Sequence, residues 1–176
     1  MVGTGSILPA HIKTIRIPVL VNNTLKYGIE TILTNDLMEE FSGRGNLEVI
    51  DDKDADSELI GVIKNYNITV LTYNALGDPQ QFRVEIVVSI KYVDKLNDEI
   101  LYQDENVRKT EVYDFTNSNL GEIGGSGGNS NSLTPDDREK YETDTVITRD
   151  DAERAAMKLI SKDIAEYIAT IIFVGF

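Results

Sequence analysis

The residue types that do covalent or metal chemistry are sparse in this chain. There is no cysteine and one histidine, His11. A Ser-His-Asp or Cys-His site therefore has almost nothing to be built from, and His11, in the N-terminal stretch, reads as a solvated tail residue. Asp52, Asp54 and Asp56 are spaced like the start of a calcium loop, but Ser57 and Ile63 stand where that loop needs glycine and glutamate, so a solvated acidic turn is the better reading. Gly124-Gly125-Ser126-Gly127-Gly128 is not followed by Lys-Ser/Thr and opens no helix after a strand, which argues against a phosphate cradle. Asn22-Asn23-Thr24 and Asn67-Ile68-Thr69 fit a glycosylation sequon, which counts only on a eukaryotic secretory path. Carboxylates are abundant and none stands out as an acid/base pair. The expectation is a protein that is not an enzyme and holds no cofactor or metal.

What remains is binding chemistry, and it depends on the elements that carry it. In Gln81–Val93, Phe82, Val84, Ile86, Val88, Ile90 and Tyr92 alternate with Gln81, Arg83, Glu85, Val87, Ser89 and Lys91. A period of two over a dozen residues means a long antiparallel strand with one buried face. Leu59–Tyr73 before it and Glu99–Val112 after it are further strands, joined by the turn-rich 74–79 and 94–98, so three strands form a meander. Lys13–Leu20 reads as a first strand with an edge or bulge at Pro18, which has no N–H to give a ladder. Asn22, Asn23 and Thr24 can cap a helix over Lys26–Phe41, striped by Ile29, Leu33, Leu37 and Phe41 and closed by Gly43 and Gly45. Leu47–Ile50 is a short extended piece. A last helix over Asp150–Ile172, capped by Thr148, presents Ala152, Ala155, Ala156, Leu159, Ile160, Ile164, Ile168 and Ile171 on one face.

The fold class is therefore α+β: a two-layer sandwich in the order β-α-β-β-β-α, with a four-stranded mixed sheet and two helices on one face. Residues 1–12 read as a tether and 13–176 as a single domain. Residues 114–143, rich in Gly, Asn, Ser and Asp, read as a flexible loop. If the first two strands run upward, the 21–27 turn, the 74–80 turn and the 114–143 loop gather at the upper end, opposite the tether. Arg16, Arg83 and Lys91 then point away from the helices, where cations beside apolar surface could hold an anionic amphiphile; a solvated sheet face is the plainer alternative. Tyr66 and Tyr73 could form a recognition pair at a loop end, or pack across strands. A formal net charge of −13 opposes attraction to nucleic acid or an anionic membrane. No apolar run approaches the ~18 residues of a spanning helix.

Leu8–Val19 followed by Asn22-Asn23-Thr24, then Gly28-Ile29-Glu30, resembles the opening of the LptE family of lipopolysaccharide-assembly lipoproteins. Ala55-Asp56-Ser57-Glu58-Leu59-Ile60-Gly61-Val62-Ile63 resembles that family's entry to its second strand, and the alternating strand and acidic, alanine-bearing last helix agree. The resemblance covers most of the chain outside 114–143. It implies a non-enzymatic protein on the periplasmic side of the outer membrane. Such a protein plugs the LptD β-barrel, helps it fold, and assists delivery of lipopolysaccharide to the outer leaflet. On that reading Asn23, Tyr27 and Tyr73 at the loop-bearing end would meet the barrel. The family's lipid anchor is an acylated Cys, expected upstream of Val2 and absent from this sequence. The family's basic lipopolysaccharide-binding residues do not map onto particular positions here; Arg83, Lys91 and Arg16 are candidates from the sheet pattern alone. The rival from another class is an envelope lipoprotein that binds some other amphiphile or membrane partner.

Overall fold

The computed structural model describes residues 8–115 and 149–174. The expected flexible loop lies outside the described residues from 116 onward, as does Thr148, the expected cap of the last helix. The meander is as the alternation predicts: β4 (Ser57–Tyr73), β5 (Pro79–Asp94) and β6 (Glu99–Asp114), paired antiparallel along their whole lengths. Phe82, Val84, Ile86, Val88, Ile90 and Tyr92 are all buried on one face of β5. The helices α1 (Ile29–Arg44) and α2 (Arg149–Val174) share a hydrophobic cluster with that face.

The sheet has six strands where four were expected. The predicted strand over Lys13–Leu20 stops early as β1 (Thr14–Arg16) and the chain resumes pairing only as β2 (Val21–Asn22), in residues read as a turn, while the extended piece pairs as β3 (Glu48–Val49). The order is β3-β1-β4-β5-β6, with β2 beside β4 above β1, and β1 and β2 both parallel to β4. The break falls on Ile17–Leu20, around Pro18. The Leu20 N–H, which leaves the ladder there, donates to Thr34 Oγ1 of α1 at 3.1 Å. Leu20 then lies on Gly61 of β4, where a Cβ would come within 2.7 Å of Leu20 Cγ. Glycine is needed at that position because the neighbouring chain uses bare backbone as its floor.

Helix α1 starts at Ile29 rather than Lys26. Gly28 holds the N-cap with φ 87°, and no side chain caps it. Asn22 Oδ1 instead accepts from Thr24 N at 2.9 Å, a local turn that competes with helix capping. Gly45 ends α1 with φ 69°, as the glycine signal indicates. In α2 the buried pairs repeat at 156/157, 160/161, 164/165 and 168/169, so Ala155 and Leu159 fall on the exposed flank instead of in the expected stripe.

Two β-bulges stand on one level. Lys64 is the extra residue on β4 opposite Val87–Val88, and β6 carries an extra residue between Asp104 and Val107, opposite Val88–Ile90. The Lys64 Nζ reaches across β5 to Glu105 Oε2 at 3.6 Å. That level matters because β2 ends there: Asn22 pairs with Ile63, and β4 continues ten residues further, about 33 Å at strand rise, to Tyr73.

His11 is not a tail residue. Its Nε2 lies 2.7 Å from Asp94 Oδ2 at the lower end of the sheet, and Ile12 beside it is buried. Asp56, expected in a solvated turn, accepts from Lys13 N at 2.8 Å and Thr14 N at 3.0 Å and so anchors the start of β1.

Candidate functional site

On the sheet face away from the helices, period-two pairing stacks Thr69, Arg83 and Val112 in one row and Ile60, Lys91 and Gln103 in another. Both candidate cations therefore sit on the open face, as alternation requires. They are eight residues apart on one strand, about 26 Å, so they cannot grip one phosphate together. Among the described residues neither makes an ion pair.

Arg16 differs. It pairs with Glu58 Oε1 at 2.8 Å and Asp51 Oδ1 at 3.4 Å. The hydrogen bond it donates to Glu58 leads the causes that raise its pKa, so the guanidinium is already spoken for. Arg16 stands next to Glu58, two register steps below Lys91, and a negative ligand there would have to displace a carboxylate.

Between the two free cations the face is closed. Arg108 Nη1 donates to Glu85 Oε2 at 3.1 Å, and Glu105 takes the Ser89 hydroxyl at 3.1 Å besides Lys64. Val87 is 5% exposed in their midst. Sequence reasoning missed Lys64 and Arg108 as members of this face. Arg108 was legible in principle, since it stands opposite Val87 in the register, but Lys64 reaches the face through an unannounced bulge.

The expected barrel-facing residues are separated by the structure. The Asn23 N–H donates to Ile63 O at 3.0 Å, and Tyr27 follows shortly after it. Tyr73 is at the hairpin tip, ten strand residues above. All three are exposed to some degree, Tyr27 at 87% and its neighbour Leu25 at 93%. Among the described residues the 74–79 turn, the end of β6 and the start of α2 share the upper end; the 21–27 turn, expected there too, lies lower because β4 runs ten residues beyond β2.

Under Leu25 and Tyr27 lies a polar knot that sequence patterns did not reveal. Lys26 Nζ is 2.7 Å from Glu153 Oε1 of α2, and the Tyr66 hydroxyl of β4 donates to the same carboxylate. Burial raises the Glu153 pKa, but the bonds from Lys26 and Tyr66 outweigh it, and the net shift is downward. Burial first, then the bond to Glu153, pushes the Tyr66 hydroxyl strongly up, so it remains a donor at all ordinary pH. Lys26 is thus fixed inward, and the residues on either side of it are fixed outward. An open groove of about 320 Å³ between α2 and β6 is lined by Lys109, Asp163, Glu166, Tyr167 and Thr170.

The family model described as lipopolysaccharide-assembly, LptE, matches residues 12–171. The chain belongs to the LptE family. Membership places it in lipopolysaccharide assembly and the biogenesis of the outer membrane. No curated protein matches at a significant level. Solved structures with a similar fold include an uncharacterized lipoprotein B from Nitrosomonas europaea. It has a TM-score of 0.52 at 12% identity, over 93% of this chain and 86% of that one. A minor lipoprotein from Acinetobacter baumannii has a TM-score of 0.50 at 15% identity, over 93% and 92%. The PelC dodecamer from Paraburkholderia phytofirmans has a TM-score of 0.51 at 9% identity, over 96% and 95%. At such identities the likeness is one of fold.

Proposed function

We propose that this LptE-family protein is an outer-membrane lipoprotein on the periplasmic side. In this reading it is the plug and assembly factor of an LptD-like β-barrel and assists delivery of lipopolysaccharide without catalysing a reaction. Family membership over residues 12–171 carries the reading. The geometry supports it. The three-stranded upper part of the sheet extends well beyond the strands nearest the N-terminus, so a base tethered at the membrane leaves the upper end free to enter a barrel. The exposed pair Leu25 and Tyr27 on a clamped loop suits protein contact. The rival, a module that encloses a different amphiphile, calls for a concave apolar pocket.

Lipidated full-length protein expressed in its host is expected to leave the outer membrane with a large β-barrel at equal stoichiometry. Elution alone in every detergent and salt condition overturns the reading. For lipopolysaccharide itself we propose Arg83 and Lys91 as separate contacts. Arg83→Glu with Lys91→Glu is expected to weaken lipopolysaccharide binding at least tenfold in a direct titration, and Arg16→Glu to matter less, since Glu58 already occupies Arg16. Unchanged binding by the double variant refutes both contacts.

A further inference from the structure

The sheet has two open flanks, and their chemistry differs. The edge of β6 is guarded as natural edges are: acidic or basic residues hold seven of its 16 positions, and a bulge interrupts it near Glu105. The edge of β4 is covered by β1 and β2 only as far as Ile63. Above the bulge, Asn65-Tyr66-Asn67-Ile68-Thr69-Val70-Leu71-Thr72-Tyr73 has no partner strand on that side among the described residues. These nine residues include no charge, no proline and no glycine, in a chain of which 27% is charged, and register shifts at Leu71 and before Tyr73 interrupt them near the tip. Bare backbone of this kind, rich in β-branched and aromatic residues, is what an exposed edge avoids unless it is to be paired.

Burial along the inner face of β4 changes at the same level. Leu59 and Ile63, alongside β1 and β2, are 0% exposed, whereas Tyr66, Ile68 and Val70 on the same face are only half-buried. At the foot of the empty lane stand Leu25 and Tyr27, held outward by the Lys26–Glu153 pair.

We infer that the β4 edge from Asn65 to Tyr73 takes up an extended strand from a second polypeptide, which continues the lane begun by β1 and β2. What the edge leaves open is a row of N–H and C=O groups, and a strand is the occupant that satisfies such a row. The incoming strand is uncharged where it pairs and apolar at the alternate positions that close over Tyr66, Ile68 and Val70. A second copy of this chain fits poorly. Two-fold antiparallel pairing along the full edge would bring its 74–78 turn into the lane where Asn22 meets Ile63, and each copy carries a net charge of −13. The inference rests on the proposed barrel partner. A closed barrel has no free edge of its own, so the strand comes from one of its loops or a terminal segment.

Hydrogen exchange tests this on the isolated chain and on its co-purified complex with the barrel. In the isolated chain about half of the amides of 65–73, those facing the lane, are expected to exchange fast, the others being bonded to β5. In the complex all are expected to slow at least tenfold, with β6 unchanged. Ile68→Lys, and independently Val70→Lys, place an inward charge on the edge and are expected to lower complex recovery about tenfold while the isolated variant still melts cooperatively. If the complex forms and 65–73 still exchanges fast, the strand is refuted and the barrel reading stands. If no complex forms, both fall. If 65–73 is fully protected in the isolated chain, the lane is filled by the chain itself and the inference is overturned.

Discussion

The sheet is tied by polar side chains at its lower end and again at the level where β2 stops, and the two ties hold different things. At the lower end Asp94 accepts from His11 Nε2 at 2.7 Å, Asn97 Nδ2 at 2.8 Å, Leu96 N at 2.9 Å and Asn97 N at 3.2 Å. Beside it Tyr92 donates to Ser57 Oγ at 3.1 Å, and burial pushes the Tyr92 hydroxyl up to about 12. These bonds close a turn and fix the start of the described chain. At the level where β2 ends, Glu153 gathers Lys26 and Tyr66 from two other elements and so fixes a loop that displays Leu25 and Tyr27. A polar cluster that stabilises its own turn acts on stability alone. One that clamps a loop with exposed apolar side chains also removes the entropy of ordering that loop when a partner arrives.

The largest effect is expected at the lower tie. Asp94→Ala removes the common acceptor of four hydrogen bonds and should lower the Tm by roughly 5–10 °C, read by circular dichroism, without altering complex recovery. Burial raises the Asp94 pKa, but the bonds from Asn97, His11 and Leu96 dominate and hold it below the usual carboxylate value. A folded pKa below the unfolded one contributes stability that is present above about pH 4 and is lost as pH falls through the folded value. The wild-type Tm should therefore fall more steeply than that of Asp94→Ala between about pH 5 and pH 2. Parallel slopes would remove Asp94 from the account.

A smaller effect on melting, with a larger one on binding, is expected at the upper tie. Glu153→Gln weakens the bond to Lys26 and should lower the Tm by a few degrees, roughly half the loss from Asp94→Ala. It should also raise hydrogen exchange over 22–28 and reduce barrel recovery several-fold. Equal effects of both variants on recovery would erase the distinction between the two ties. The smallest effect is expected at the bulges: Lys64→Met removes an exposed pair with Glu105 and should change stability by less than about 1 kcal/mol. A larger loss in urea melts would mean that the pair holds the bulges in place.

The meander and the core face of β5 were legible because Phe82–Tyr92 repeats its period without a gap. The face of Arg83 and Lys91 followed from the same period. The split of the first strand was half legible: Pro18 marks an irregularity, but only the packing of Leu20 on Gly61 shows where the chain goes. The bulge at Lys64 has no local signal, because a bulge is a property of pairing. The same is true of the bare edge. Asn65–Tyr73 reads as an ordinary strand until the neighbours that stop at Ile63 are known. The pairing of Arg16 with Glu58 and of His11 with Asp94 is likewise non-local, at separations of 42 and 83 residues.

The two bulges flank β5 at a single level, and bulges increase the local right-handed twist. The upper part of the sheet is thereby coiled relative to the lower. Stacking of strand upon strand into a fibril favours a flat ribbon that each new layer can copy without strain. A coiled template accepts one strand and presents the next with a worse fit. Bulges at that level would thus make an uncharged edge a poor seed for polymers, a protection that charged residues give β6.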